Sequence, residues 1–133
     1  MNEHTEYWLT ESLESLDTAR VLYDNKKYLD SSFFCHLSME KMLKAFYTDR
    51  TNDVPPKIHN LLLLAERAHL KEELGDQQLV FLARLNTYNI EGRYPSQREA
   101  LYKNTSVNKF LEILVKTEEV IKWLELKLRS EAL

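Results

Sequence analysis

Turn-forming residues are scarce in this chain: 2 glycines and 3 prolines in 133 residues. Sandwiches, small barrels and Rossmann-like sheets need many tight turns, built mostly from Gly, Pro, Asn and Asp, so their absence points to long helices. One cysteine, Cys35, excludes an internal disulfide and fits a reducing compartment. No uninterrupted apolar run approaches the roughly 18 residues that a membrane span needs. The start MNEHTEYW has neither the basic nor the apolar region of a signal peptide, so the chain reads as cytoplasmic with no membrane association. A net charge of -3 argues against wholesale coating of nucleic acid. His-Glu-x-x-His, Cys-x-x-Cys, Gly-x-Ser-x-Gly and phosphate-loop patterns are missing, and two glycines cannot build a phosphate cradle. No metal or cofactor is expected.

What is present is enough for one packed domain over 1–133, with 44% hydrophobic and 11% aromatic residues. Trp8, Leu9, Leu13, Leu16, Ala19 and Tyr23 recur at helical steps within 5–24. A second helix runs over 28–49, and its apolar side chains cover about half its circumference, which makes it central. It stops before Pro55 and Pro56. A short helix follows from Ile58 to Ala68, with Gly75 as a C-cap and Asp76 as the N-cap of a helix that ends near Gly92. Residues 93–104 show no clear period and read as an ordered connection with at most one helical turn. From Thr105 or Ser106 the last helix carries Val107, Phe110, Leu111, Leu114, Val115, Val120, Ile121, Leu124 and Leu128. The expected fold is all-α: an up-and-down antiparallel bundle of four long helices plus a short fifth. Trp8, Leu16, Phe34, Leu43, Leu64, Leu82, Leu114 and Ile121 are its expected buried set.

Four groups of residues bear on chemistry. Along the second helix, His36, Glu40, Lys44 and Tyr47 form a polar stripe. It reads either as a solvated Glu40–Lys44 ion pair or as the wall of a polar pocket or dimer interface. Between 84 and 109, Arg84, Arg93, Arg98, Lys103 and Lys109 face only Glu91 and Glu99, with Tyr88, Tyr94 and Tyr102 interleaved. Arginine forks suit phosphate and tyrosines can stack on bases, although a polar connection with core-capping tyrosines has the same composition. Glu66 and His69 give one Glu-x-x-His, where a carboxylate-bridged bundle needs two such motifs and two further carboxylates. Cys35 and His36 are adjacent on a helix and point about 100° apart, which favours packing over nucleophilic catalysis.

The run Phe33-Phe34-Cys35-His36-Leu37-Ser38-Met39-Glu40-Lys41-Met42-Leu43-Lys44-Ala45 resembles the central-helix motif of HEPN domains. Ile58-His59-Asn60-Leu61 is similar to that family's Thr-His-Asp-Leu, with Ile58 in place of the usual N-capping Thr, and Arg93-Tyr94-Pro95 to its Arg-Tyr-Pro. The resemblance implies a helical bundle, often dimeric, that binds nucleotide or RNA and pairs with small nucleotidyltransferases, in some cases as toxin and antitoxin. Catalytic members have an Arg followed after four to six residues by a His. Here Arg50 to His59 leaves eight residues, Arg67 to His69 leaves one, and no histidine follows His69. The reading is therefore a non-catalytic module with a ligand site expected at Glu40, Lys44, His59, Arg93 and Tyr94, Glu40 orienting the lysine. Internal pairing of Arg93 with Glu40 and core packing of Tyr94 would instead make that motif structural. Two alternatives stand beside this reading: a metal-independent endoribonuclease toxin with a displaced His59/Arg93 site, and a purely structural dimerisation module.

Overall fold

The computed structural model describes residues 1–131, and among them every regular element is helical. The elements are α1 (Glu3–Asp24), α2 (Tyr28–Thr51), α3 (Leu61–Arg67), a 3-10 turn (Lys71–Glu73), α4 (Asp76–Asn86), α5 (Pro95–Lys103) and α6 (Val107–Glu131). The all-α bundle is as expected, but it holds six α-helices rather than five. The connection at 93–104 is a nine-residue helix, because Pro95 sits at its first position and Gln97 Oε1 accepts from the Tyr94 amide at 3.1 Å.

Helix α2 packs against α1, α3, α4 and α6, which makes it the central element. The three-residue link at 25–27 turns it antiparallel to α1. Tyr28 stacks on Phe110 at one end, and Arg50 pairs with Glu131 at the other, so α6 runs parallel to α2 and antiparallel to α1. Met39, Met42, Leu43 and Phe46 of α2 are fully buried against Leu61, Leu64, Leu82, Leu85, Leu114 and Ile121. Leu43, Leu64, Leu82, Leu114 and Ile121 are core residues as expected. Trp8, Leu16 and Phe34 are only half-buried and lie on the core's rim. Val107, Leu111 and Val115 are exposed, because α6 turns Phe110, Ile113, Leu114 and Thr117 inward instead.

The α1–α2 seam is made of small hydroxyl side chains. Thr5 meets Thr48 (2.7 Å), Ser12 Oγ donates to the Ser38 carbonyl (2.7 Å), Ser38 Oγ donates to the Ser12 carbonyl (2.9 Å), and Ser31 Oγ donates to the Ala19 carbonyl (2.7 Å). All six residues are buried, and on α1 the contacts recur every seven residues. Small side chains let the two backbones approach, and each buried hydroxyl is satisfied across the seam or on its own helix.

Helix ends are turned without glycine. Lys26 (φ 62°), Asn52 (φ 53°) and His69 (φ 57°) are left-handed. After α3 the Leu70 amide donates to the Ala65 carbonyl and the His69 amide to that of Glu66, a Schellman ending with His69 where glycine is usual. Gly75 is therefore not the C-cap; it precedes α4, and Asp76 is the first helical residue. Ile58 and His59 lie outside α3, because the Asn60 side chain accepts from the Leu62 amide (3.1 Å) and starts the helix there.

Candidate functional site

Two neighbouring places hold the residues singled out from the sequence. At the first, Glu40 and Lys44 are one turn apart on α2, with Lys44 Nζ donating to Glu40 Oε2 at 2.9 Å. Their side chains are only 6% and 9% exposed, so this is no solvated pair. The segment before α3 brings His59 across, with Nδ1 2.9 Å from Glu40 Oε1, and Trp8 of α1 lies over Lys44 with Nζ 5.3 Å from the ring centroid. Both carboxylate oxygens are thus engaged, which offsets the cost of burying the charge. The imidazole of His59 stays more than half exposed.

One turn earlier, His36 is 1% exposed. Its Nε2 donates to the His59 carbonyl at 3.0 Å, and its Nδ1 has no hydrogen-bond partner among the described residues. Burial pushes the His36 pKa below the ordinary imidazole value, against the nearby Glu40 charge, so the ring is held neutral. This pairing fixes His59 in place and was not legible beforehand, since it joins residues from two elements.

At the second place, Gly92 (φ 78°) turns the chain out of the α4 exit and presents Arg93 over a groove of about 590 Å³. Phe33, Phe34, Leu37 and Ile90 give the groove an apolar floor. Arg98 borders it and pairs with Asp30 at 3.1 Å. Among the described residues Arg93 has no side-chain hydrogen bond or ion pair, so the expected alternative of an Arg93–Glu40 pair does not occur. Tyr94 caps α5 and is 73% exposed, which excludes core packing for it. No hydrogen bond or ion pair joins this group to Glu40, Lys44 and His59 among the described residues.

The other candidates are otherwise engaged. Tyr88 is buried edge-on to Phe110, and Tyr102 leans on the same ring. Arg84 pairs with Glu112, and Lys103 with Glu99. Cys35 is fully buried beside Thr117, and burial raises its thiol to about 12, so it is no nucleophile at neutral pH. Tyr47 is half-buried. Glu66 and His69 border a surface cleft, and no group of three or more His, Cys, Asp or Glu among the described residues is arranged to hold a metal ion. No helix among them is long and apolar enough to cross a membrane.

Comparison with curated proteins and with solved structures gave no match. Comparison with family models gave the HEPN domain over residues 5–127, a span that includes the central helix with Glu40 and Lys44, the His59 segment and the Arg93 turn. On that match, which runs through nearly all of the bundle, the chain belongs to the HEPN domain family.

Proposed function

We propose that the chain is a non-catalytic HEPN-type module that contacts nucleotide or RNA and works beside a small nucleotidyltransferase, in a toxin–antitoxin-like setting. The observation that carries this reading is Arg93, an arginine without an ion-pair partner among the described residues, set over an apolar floor with Tyr94 exposed next to it. A guanidinium fork takes phosphate oxygens, the floor takes a base or ribose face, and Tyr94 can stack. Lys44 is neutralised by Glu40, so the phosphate contact rests on Arg93. His59 contributes a ring edge at the neighbouring turn.

Calorimetric titration of ATP, GTP and a short RNA tests the reading. Binding to wild type that weakens roughly tenfold or more in Arg93→Ala, at unchanged melting temperature, supports it. No binding to wild type, with a large loss of melting temperature in the mutant, leaves a structural module.

One observation favours a ribonuclease with a displaced site. Glu40 orients His59 through Nδ1, and the imidazole is more than half exposed, as a general base requires. Cleavage of single-stranded RNA or tRNA that disappears in His59→Ala would establish that alternative; intact RNA supports the non-catalytic module. The exposed Val107, Leu111 and Val115 on α6 offer a face for a second copy of the chain, and a homodimer is part of the proposal. Light scattering at micromolar concentration that returned 15.8 kDa would count against the dimer.

A further inference from the structure

Away from the Arg93 groove, the first turns of α1 and the C-terminal end of α2 enclose a separate cleft of about 390 Å³. This lies within the range of about 300–1,000 Å³ usual for small-ligand pockets. Tyr7, Trp8, Val54 and Pro55 form its apolar wall, Asn2, His4, Thr48 and Asn52 add polar edges, and no lysine or arginine lines it. Tyr7 and Trp8 are consecutive on α1, yet their rings stand at 81° with centroids 5.3 Å apart, so the two planes make a corner. Asp53 brings the one carboxylate. Its Oδ1 accepts from the Val54 amide at 2.7 Å, which fixes the group and leaves the second oxygen without a partner among the described residues.

Two aromatic planes meeting near a right angle, a wall completed by Val54 and Pro55, and one carboxylate are complementary to a particular chemistry. Aromatic faces attract cations, most strongly where water is partly excluded. In this molecule Trp8 already lies against one ammonium, that of Lys44, 5.3 Å from its ring centroid, and Lys44 does not line the cleft. A hard metal ion would need several oxygen ligands, and a bare ammonium needs acceptors for its N–H groups. One carboxylate is too few for the metal, and Asn2 and Thr48 are already engaged with Thr5, which leaves a bare ammonium short of acceptors. A nitrogen whose N–H bonds are replaced by methyl groups asks for an apolar enclosure and a counter-charge only.

We propose that this cleft binds an alkylated ammonium group, the cation lying against Tyr7 and Trp8 with the Asp53 carboxylate as its counter-ion. The assignment is independent of the nucleotide reading, because it uses none of that site's residues. The chain has two tryptophans, so Trp123→Phe leaves Trp8 as the single tryptophan, excited apart from the tyrosines at the red edge of the absorption band.

In that background, the emission of Trp8 is followed while choline, tetramethylammonium or 3,3-dimethylbutan-1-ol is added; the alcohol is a neutral isostere of choline. Saturable change with both cations and binding of the alcohol at least tenfold weaker is the expected result. Asp53→Asn keeps an acceptor for the Val54 amide, and Tyr7→Leu alters an exposed ring, so both should retain the melting temperature while weakening choline roughly tenfold. Equal binding of the alcohol would reduce the cleft to a hydrophobic dent and overturn the proposal. No saturation by either cation, or choline binding unchanged in Asp53→Asn, would overturn it as well.

Discussion

His59 Nδ1 lies 2.9 Å from one oxygen of Glu40 while the other oxygen of the same carboxylate holds Lys44 at the same distance. One buried group thereby ties the segment before α3 to the middle of α2. Removing a single partner from such a pair strands a charge. Lys44→Met should therefore destabilise the protein by about 3–5 kcal/mol, and Glu40→Gln combined with Lys44→Met should recover much of that loss. Urea denaturation of the two variants measures both. Equal stability of wild type and Lys44→Met would show that Glu40 keeps its solvation without the lysine.

His36 gives the protein a pH dependence near neutrality. Burial lowers its pKa in the folded state, while the unfolded chain keeps the ordinary value of 6.5. Below that value the unfolded state takes up a proton that the fold refuses. The stability is complete above about 6.5 and is lost as pH falls toward the lowered folded value. Melting temperatures measured from pH 7.5 to pH 5 should fall, and His36→Gln should flatten the slope over that interval. An unchanged slope in the variant would assign the dependence to other groups.

A second, acidic dependence sits at the far end of α2. Arg50 binds Glu73, Glu131 and the His69 carbonyl together. The Arg50 guanidinium, with Lys127, holds the Glu73 carboxyl down at about 2 from the ordinary 4.5. A depressed carboxyl stabilises the fold above the unfolded value and loses that contribution as pH falls through the folded one, here between about 4.5 and 2. Glu73 is 40% exposed, so solvent screening keeps the effect small. Acid titration followed by circular dichroism should show an earlier midpoint for Glu73→Gln than for wild type.

Lys26 occupies a left-handed position at the end of α1 with φ 62°. A side chain there carries a backbone penalty that glycine avoids, part of which glycine's greater freedom in the unfolded chain cancels. Lys26→Gly should raise stability by up to about 1 kcal/mol, seen as a higher urea midpoint at unchanged slope. Lys26→Ala would keep the penalty and gain nothing.

The thiol of Cys35, raised to about 12 and fully buried, should resist alkylation. Iodoacetamide at pH 8 should label the protein only in denaturant, as mass spectrometry would record. Rapid labelling of the native protein would mean that α2 opens toward α6 far more often than this packing allows.

The positions of α1, α2 and α6 and the centrality of α2 were legible because broad apolar stripes are readable from spacing alone, whereas α5 buries no residue and left no such stripe. The α1–α2 seam was not. Thr5, Ser12 and Ser38 are polar residues whose burial depends on a partner helix, and an apolar period cannot report it. Conversely, Val107, Leu111 and Val115 continue the apolar pattern of α6 but stand outside the arc that α2 covers. Within the site, the Glu40–Lys44 pair followed from its i, i+4 spacing, whereas its burial beneath Trp8 and its junction with His59 needed the tertiary fold. Arg93 and Tyr94 were located by local charge and by motif, neither of which reports tertiary position, and Gly92 turns the chain just before them.

The hydroxyl seam between α1 and α2 also restricts how the protein can move. Each contact matches one side chain to one carbonyl or hydroxyl on the opposite helix, at intervals of seven residues along α1. A slip by a single residue would strand all of them at once, and the next comparable match lies about 10 Å farther along the axis. Gliding of one helix past the other is thus barred in small steps. The pair therefore resists shear, and separating the helices about the short 25–27 link is the displacement that the seam opposes through all its contacts together.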